Sequence, residues 1–123
     1  MICLDTNYLI LGLIEGSEES LELIEWHRRG EVLVTPMPAW YEFLCGPVDE
    51  PQVGAMRAFL TEIVPFGEVQ ALKSAELFTL AGRKRRLKVD AMIAATAVCA
   101  GAALATNNAS DFKPFVEHGL QLN

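Results

Sequence analysis

Residues 88–108 have the sequence KVDAMIAATAVCAGAALATNN, which contains the clearest structural signal in the chain. From Lys88 to Ala100 apolar residues recur at i, i+3 and i+4, and the opposite side is also apolar, which predicts a buried or interfacial helix. A glycine separates this helix from Ala102–Thr106, a short apolar run that predicts a strand. Polar residues follow where the strand ends. A helix followed directly by a buried strand favours an α/β fold.

The rest of the chain continues this alternation of strands and helices. Further strands are predicted at Met1–Leu4, Glu31–Thr35, Ile63–Phe66 and Gly119–Leu122. Further helices are predicted at Thr6–Leu13, Glu18–Arg29, Pro38–Cys45, Met56–Glu62 and Glu68–Arg86, with a proline-rich loop at Gly46–Gly54. We therefore expect one α/β domain over residues 1–123, with a mostly parallel central sheet of four or five strands and helices on both faces.

The composition is that of an ordinary globular protein. Of 123 residues, 51% are hydrophobic and 21% are charged, which favours one domain with a substantial core. Cys3, Cys45 and Cys99 are odd in number and lie in apolar segments, so we expect buried free thiols in a reducing compartment. No signal peptide or membrane-spanning stretch is apparent, and a cytoplasmic protein is expected.

The charge distribution bears on nucleic-acid binding. A formal net charge of −6 argues weakly against it, because phosphates attract lysine and arginine. However, five of the ten basic residues fall within residues 83–88. A solvated helix end is the commoner role of such a run. The candidates for gripping phosphate are Arg83, Arg85, Arg86 and Lys88.

Four carboxylates and an asparagine are expected at one edge of the sheet. Asp5 ends the first strand, and Asn108 and Asp111 follow the fourth. Glu42 lies in the helix after the second strand, and Asp90 lies in the first turn of the helix that leads into the fourth. Helices in such folds begin where a strand has ended. All five positions therefore share the carboxyl edge, where open parallel sheets bind their ligands.

Each acid alone has an ordinary explanation. Asp90 can complement a helix dipole, Glu42 can be a solvated helix residue, and Asp111 can belong to a turn. Together, carboxylates at one place repel one another and require a cation. Oxygen ligands suit Mg²⁺, for which Mn²⁺ substitutes, and such an ion activates water for attack on a phosphodiester.

Four segments together resemble the PIN-domain nucleases, and their order and spacing are similar to those of the VapC-type toxins of toxin–antitoxin pairs. They are ICLDTN at 2–7, WYEFL at 40–44, DAMIAATA at 90–97 and TNNASDF at 106–112. The last two segments are the most specific, and the resemblance extends over essentially the whole chain.

The resemblance implies a Mg²⁺-dependent endoribonuclease that acts on structured RNA such as tRNA or rRNA. It also implies a homodimer and a cognate antitoxin that occupies the active-site groove. By this resemblance the metal ligands and catalytic residues are Asp5, Glu42 and Asp90, with Asp111 or Asn108 at a fourth corner. Thr6, Thr106 and Asn108 are the expected supporting residues.

Two other classes of protein with an acidic site lack support in the sequence. A receiver domain needs a phosphoacceptor aspartate at the end of its middle strand, and residues 63–67 offer none. A haloacid-dehalogenase-type phosphatase needs a second acid two residues after Asp5, where Asn7 stands. Two alternatives remain open: a catalytically silent PIN-like module that binds RNA or protein, and a housekeeping RNA-processing nuclease.

Overall fold

A single sheet runs through the computed structural model, which describes residues 1–123. Its strands are β1 (Ile2–Leu4), β2 (Leu33–Pro36), β3 (Glu62–Val64), β4 (Ala103–Ala105) and β5 (Gln121–Leu122). Their order is β3-β2-β1-β4-β5, and all four pairings are parallel. The first strand is therefore central, and the chain builds one side of it before crossing to the other. The predicted α/β fold with a parallel sheet is confirmed.

Seven helices connect the strands. They are α1 (Thr6–Leu11), α2 (Glu18–Arg28), α3 (Met37–Cys45), α4 (Glu50–Phe59), α5 (Glu68–Leu80), α6 (Lys88–Ala100) and α7 (Ala109–Val116), with a 3₁₀ turn at Arg85–Leu87. None of these helices combines the length and the apolar character that crossing a bilayer requires.

The two central strands are covered on both faces. Every residue of β1 and β2 is buried, although successive side chains of a strand point to opposite faces. Fully buried strands of this kind are typical of parallel sheets between two helical layers. All of β1, together with Leu33 and Val34 of β2, belongs to one cluster of 26 buried hydrophobic residues. Helix α6, whose predicted bounds match the structure, packs along α5 and also contacts α3 and β2.

The helix predicted at Glu68–Arg86 is too long. Helix α5 ends at Leu80, and the chain then passes through Gly82 and Arg83 with φ of +94° and +58°. Left-handed residues end a helix, and Gly82 carries no penalty in that conformation. The basic run therefore lies in a turn between two helices rather than at the end of one.

The loop predicted at Gly46–Gly54 is wrong in its second half. Asp49 accepts a hydrogen bond from the backbone N–H of Gln52 at 2.9 Å, and the side-chain oxygen of Gln52 accepts one from the backbone N–H of Asp49 at 2.9 Å. This capping box starts α4 at Glu50, and Pro51 fits the first turn. Of the helix predicted at Met56–Glu62, the first four residues form the end of α4, which stops at Phe59. Glu62, the last residue of the predicted helix, belongs to β3 instead.

Two further expectations need correction. Helix α7 was not predicted, because Pro114 lies inside it and proline normally argues against a helix interior. Of the three cysteines, Cys3 alone is buried, whereas Cys45 and Cys99 are exposed. All three are free thiols, as expected, and the two exposed ones lie on the outer sides of α3 and α6.

Candidate active site

Asp5 is the most tightly held of the predicted acids. It follows β1 directly and caps α1, with its Oδ1 accepting the backbone N–H of Thr6 at 2.7 Å. Its Oδ2 accepts the hydroxyl of Thr106 at 2.7 Å. Only 5% of the residue is exposed. Both carboxylate oxygens are therefore fixed by neutral donors, and no cation of the protein contacts them.

Thr106 links the ends of β4 and β1, the two strands between which the chain changes sides of the sheet. It follows β4, which pairs with β1, whereas β2 pairs with β1 on the opposite side. Its hydroxyl also accepts the backbone N–H of Asn108 at 3.0 Å, which fixes the direction of the hydroxyl proton toward Asp5. Parallel α/β sheets bind their ligands at such a topological switch point. The predicted carboxyl-edge position of these residues agrees with this geometry.

Glu42 reaches the same place from α3. Its Oε2 accepts the hydroxyl of Thr6 at 3.1 Å, so two consecutive residues, Asp5 and Thr6, link the strand end to a helix 36 residues away. Glu42 is exposed to solvent, unlike Asp5. It forms the open wall of the site.

Asp90 lies at the electrostatic centre of the cluster. It is half-buried in the first turn of α6. Burial first, and then the negative charges of Asp5, Asp111 and Glu42, raise the pKa of its carboxyl to about 6, while the charge of Arg86 opposes the rise. Three separate acids therefore lie within electrostatic range of one carboxylate.

The pKa of the Asp5 carboxyl is also raised. Burial is the largest cause and the charge of Asp111 adds to it, whereas the hydrogen bonds from Thr106 and Thr6 favour the ionised form. In both Asp5 and Asp90 the raised pKa means that the protein environment disfavours the ionised carboxylate. A bound cation would relieve this cost.

Asp111, rather than Asn108, supplies the fourth negative charge. Asp111 lies in the first turn of α7, and its Oδ1 is 3.5 Å from Nη1 of Arg86. Asn108 occupies the N-cap position of α7, but its side chain makes no capping hydrogen bond and is exposed.

Of the predicted basic run, Arg86 alone contacts an acid of the cluster. The other candidates, Arg83, Arg85 and Lys88, are exposed and form no ion pair. The sequence placed all of them near Asp90 but could not distinguish among them. The Arg86–Asp111 pair joins the 3₁₀ turn to α7, and nothing in the local sequence indicates that contact.

The donor set fits a hard, water-rich cation. No three acidic, histidine or cysteine side chains converge closely enough to form a cage around one ion. The donors available are carboxylate oxygens, with no imidazole or thiolate in the hydrogen-bonded network. Mg²⁺ is usually held by one or two carboxylates and keeps several waters, whereas structural zinc needs four close N or S ligands. The residues present therefore suit Mg²⁺ or Mn²⁺ and do not suit structural zinc.

This geometry defines a class of protein, a parallel α/β protein with a cluster of acidic side chains at the switch point of its sheet. The model of the PIN domain family matches residues 2–114, and the chain belongs to that family. No curated protein matches the sequence.

Solved toxin–antitoxin structures have the same fold. A toxin–antitoxin complex from Klebsiella pneumoniae is 28% identical with a TM-score of 0.71, over 91% of this chain and 90% of that chain. DNA-bound VapBC from Salmonella typhimurium is 17% identical with a TM-score of 0.75, over 99% and 96% of the two chains. FitAcB from Neisseria gonorrhoeae is 19% identical with a TM-score of 0.71, over 100% and 97%.

Proposed function

We propose that this chain is a Mg²⁺-dependent endoribonuclease and the toxin of a type II toxin–antitoxin pair. The observation that carries the proposal is that the hydroxyls of Thr106 and Thr6 hold Asp5 and Glu42 at the switch point of the sheet, within electrostatic range of Asp90. Membership of the PIN domain family and likeness to toxin–antitoxin complexes support it.

Asp5 and Asp90 are proposed to hold the ion, with Glu42 and Asp111 on its open side. Asp5 is buried and fixed, and Asp90 is the residue on which the other charges converge. When bound, the ion supplies positive charge next to the scissile phosphate and lowers the pKa of a water molecule. Mn²⁺ has the same ligand preference and should substitute.

The chain's own residues orient the reacting groups. The hydroxyl of Thr106 and the backbone N–H of Thr6 hold the Asp5 carboxylate in one orientation. The hydroxyl of Thr6 holds Glu42, which is exposed and so is placed to orient the attacking water and accept its proton. Such preorganised partners typically change metal affinity or activity by about 10-fold to 100-fold.

RNA is proposed to enter across the exposed rim of the cleft. Arg83, Arg85 and Arg86 lie in the segment that leads into α6, and Lys88 is the first residue of that helix, two positions before Asp90. Their charges would attract the phosphate backbone and offset the acidic balance of the rest of the chain. Structured RNA such as tRNA or rRNA is the substrate class that we propose.

A second copy of the chain and an antitoxin are the proposed partners. An open groove of about 540 Å³ beside Glu42 is lined by apolar side chains of α3 and α6, including Met37, Tyr41, Leu44 and Val89, all of them exposed. Exposed apolar patches of this kind mark protein contacts, which supports a homodimer through this face. The antitoxin is proposed to lie over the acidic residues of the active site, next to this apolar groove, and to block the access of RNA.

The test is cleavage of total cellular RNA by purified, antitoxin-free protein, in Mg²⁺ or Mn²⁺ and in EDTA. The variants are Asp5→Asn and Asp90→Asn, and the matched control is Glu31→Gln, an exposed acid with no ion pair. We expect metal-dependent cleavage that falls by at least about 100-fold in both site variants, beyond the usual effect of an outer partner. The control should cleave like the wild type.

Three results would redirect the proposal. No cleavage by folded protein would favour the catalytically silent binding module, and cleavage that survives both substitutions would exclude this site. Metal-dependent cleavage without an antitoxin reading frame beside the gene would favour a housekeeping RNA-processing nuclease.

A further inference from the structure

One cation of the protein already lies against the acidic cluster. Nη1 of Arg86 is 3.5 Å from Oδ1 of Asp111, and this is the one ion pair in the structure that joins two different helical segments. The other three pairs link residues within three or four positions of each other, on α2 or α5 or just past the end of α2. The contact therefore depends on the tertiary fold of the site.

The ion pair is placed so that it can open. The side chains of Arg86 and Asp111 are 63% and 46% exposed, and Asp111 makes no side-chain hydrogen bond to any other residue. An exposed pair of this kind is worth only about 0.2–1 kcal/mol. Asp5, in contrast, has donors on both of its oxygens and is buried.

Arg86 also acts on a second acid. It precedes Asp90 by four residues, in the 3₁₀ turn that leads into α6, and its positive charge favours the ionised form of the Asp90 carboxyl. A divalent ion that enters the cluster would therefore meet a guanidinium already attracted to the same two carboxylates. The two cations would compete for the same negative charge.

A guanidinium displaced in this way has an obvious new partner. Arginine carries a fixed fork of N–H donors that matches the oxygens of a phosphate and binds them in pairs. RNA that enters the cleft brings such a phosphate to the position where the ion pair has opened.

We propose that Arg86 is a positioning residue that neutralises Asp111 while the cleft holds no divalent ion, and that it binds an RNA phosphate once the ion has taken its place. This inference rests on the proposed function. It adds that Arg86 lowers the affinity for the metal while it raises the affinity for RNA.

Mn²⁺ binding to Arg86→Gln, followed by electron paramagnetic resonance without RNA, tests the first half. The matched control is Arg85→Gln, which removes the same charge from the same turn but has no acidic partner. We expect Arg86→Gln to bind Mn²⁺ about 1.4-fold to fivefold more tightly than the wild type, the fold-change that an exposed pair of this strength implies. Arg85→Gln should shift the affinity by less than half as much.

RNA binding tests the second half, by fluorescence anisotropy of a labelled single-stranded RNA in Ca²⁺, with a gel to verify that the RNA stays intact. Arg86→Gln should bind more weakly, and the slope of log affinity against log salt should fall by about one unit. Arg86→Lys should keep the salt slope but lose part of the affinity, because it keeps the charge and loses the fork.

The outcomes separate this inference from the proposed function. If the wild type binds Mn²⁺ and cleaves RNA, but Arg86→Gln leaves Mn²⁺ affinity unchanged, weakens it or matches Arg85→Gln, then the role of Arg86 is wrong and the nuclease stands. If the wild type binds no Mn²⁺, both are wrong. A purely structural role would not tighten metal binding in one variant and weaken RNA binding in the same variant.

Discussion

The two ends of the acidic cluster differ in how their carboxylates are held. Asp5, at the end of the central strand, is buried and accepts hydrogen bonds from Thr6 and Thr106. Asp111, at the start of the last helix, is half exposed and contacts only the flexible side chain of Arg86. The inner end is fixed by neutral donors, whereas the outer end is balanced by a charge that is free to leave.

This difference separates two tasks. Neutral donors orient a carboxylate without cancelling its charge, so Asp5 keeps its full attraction for a cation. Arg86, in contrast, offsets the negative charge of Asp111 until a divalent ion takes its place. We infer that the inner end defines where an ion sits and that the outer end controls what enters.

The largest effect is expected from breaking the fixed end without removing an acid. Thr106→Val deletes the hydroxyl that donates to Asp5 and should weaken Mn²⁺ binding by about 10-fold to 100-fold, the range for outer partners of metal ligands. Thr106→Ser keeps the hydroxyl and should restore most of the affinity. Calorimetric titration with Mn²⁺ measures the affinity of each variant. Equal Mn²⁺ affinities of Thr106→Val and Thr106→Ser would show that the Thr106 hydroxyl is not needed to orient Asp5.

A second prediction concerns the packing at the far end of α1, the helix that Asp5 caps. A Cβ at Gly12 would meet the carbonyl oxygen of Tyr8 at 2.5 Å and the side chain of Leu23. Gly12→Ala should lower the free energy of unfolding by about 1–3 kcal/mol, as overpacked sites do. Gly54→Ala is the control, since a Cβ there meets nothing within 4 Å inside α4, and it should stabilise by about 0.4–1 kcal/mol. Urea denaturation distinguishes them, and two equal shifts would contradict the close α1–α2 contact.

The smallest effect is the pH dependence of the metal-free protein. The pKa of Asp90 in the folded state is about 6, above its ordinary value of 3.8, so the folded state binds more protons between these values. Protonation of Asp90 therefore adds to the free energy of unfolding. This contribution is complete below pH 3.8 and is lost as the pH rises through about 6.

Comparison with Asp90→Asn isolates this contribution from those of the other acids. Between pH 4 and 6 in EDTA, the stability of the variant relative to the wild type should rise with pH, by less than about 1.4 kcal/mol per pH unit because Asp90 is only half-buried. Denaturation at both pH values measures the change. A difference that stays constant or falls with pH would show that folding does not raise the pKa of Asp90.

Local patterns were sufficient where sequence periodicity and burial agree. The helix at Lys88–Ala100 was predicted with its observed bounds, because it is apolar on nearly every side and Gly101 ends it with a φ of +68°. The parallel strand ends followed, and with them the shared edge of Asp5, Glu42, Asp90 and Asp111. Their catalytic roles stay predictions.

What the sequence could not indicate depends on contacts between distant segments. The hydrogen bonds of Thr6 to Glu42 and of Thr106 to Asp5 join residues 36 and 101 positions apart. The contact of Arg86 with Asp111 requires that a turn and a helix meet, and that helix was itself missed because of Pro114. The helix predicted from local propensity ran on through Gly82, whereas the observed helix α5 ends just before the left-handed backbone at Gly82 and Arg83.

Anomalous scattering from a crystal soaked in Mn²⁺ would test directly whether Asp5 and Asp90 hold a divalent ion. We predict an anomalous peak between the carboxylates of Asp5 and Asp90, with Glu42 and Asp111 toward solvent, and the loss of that peak in Asp5→Asn. A peak elsewhere on the chain, or no peak between these residues at a concentration that supports RNA cleavage, would contradict it.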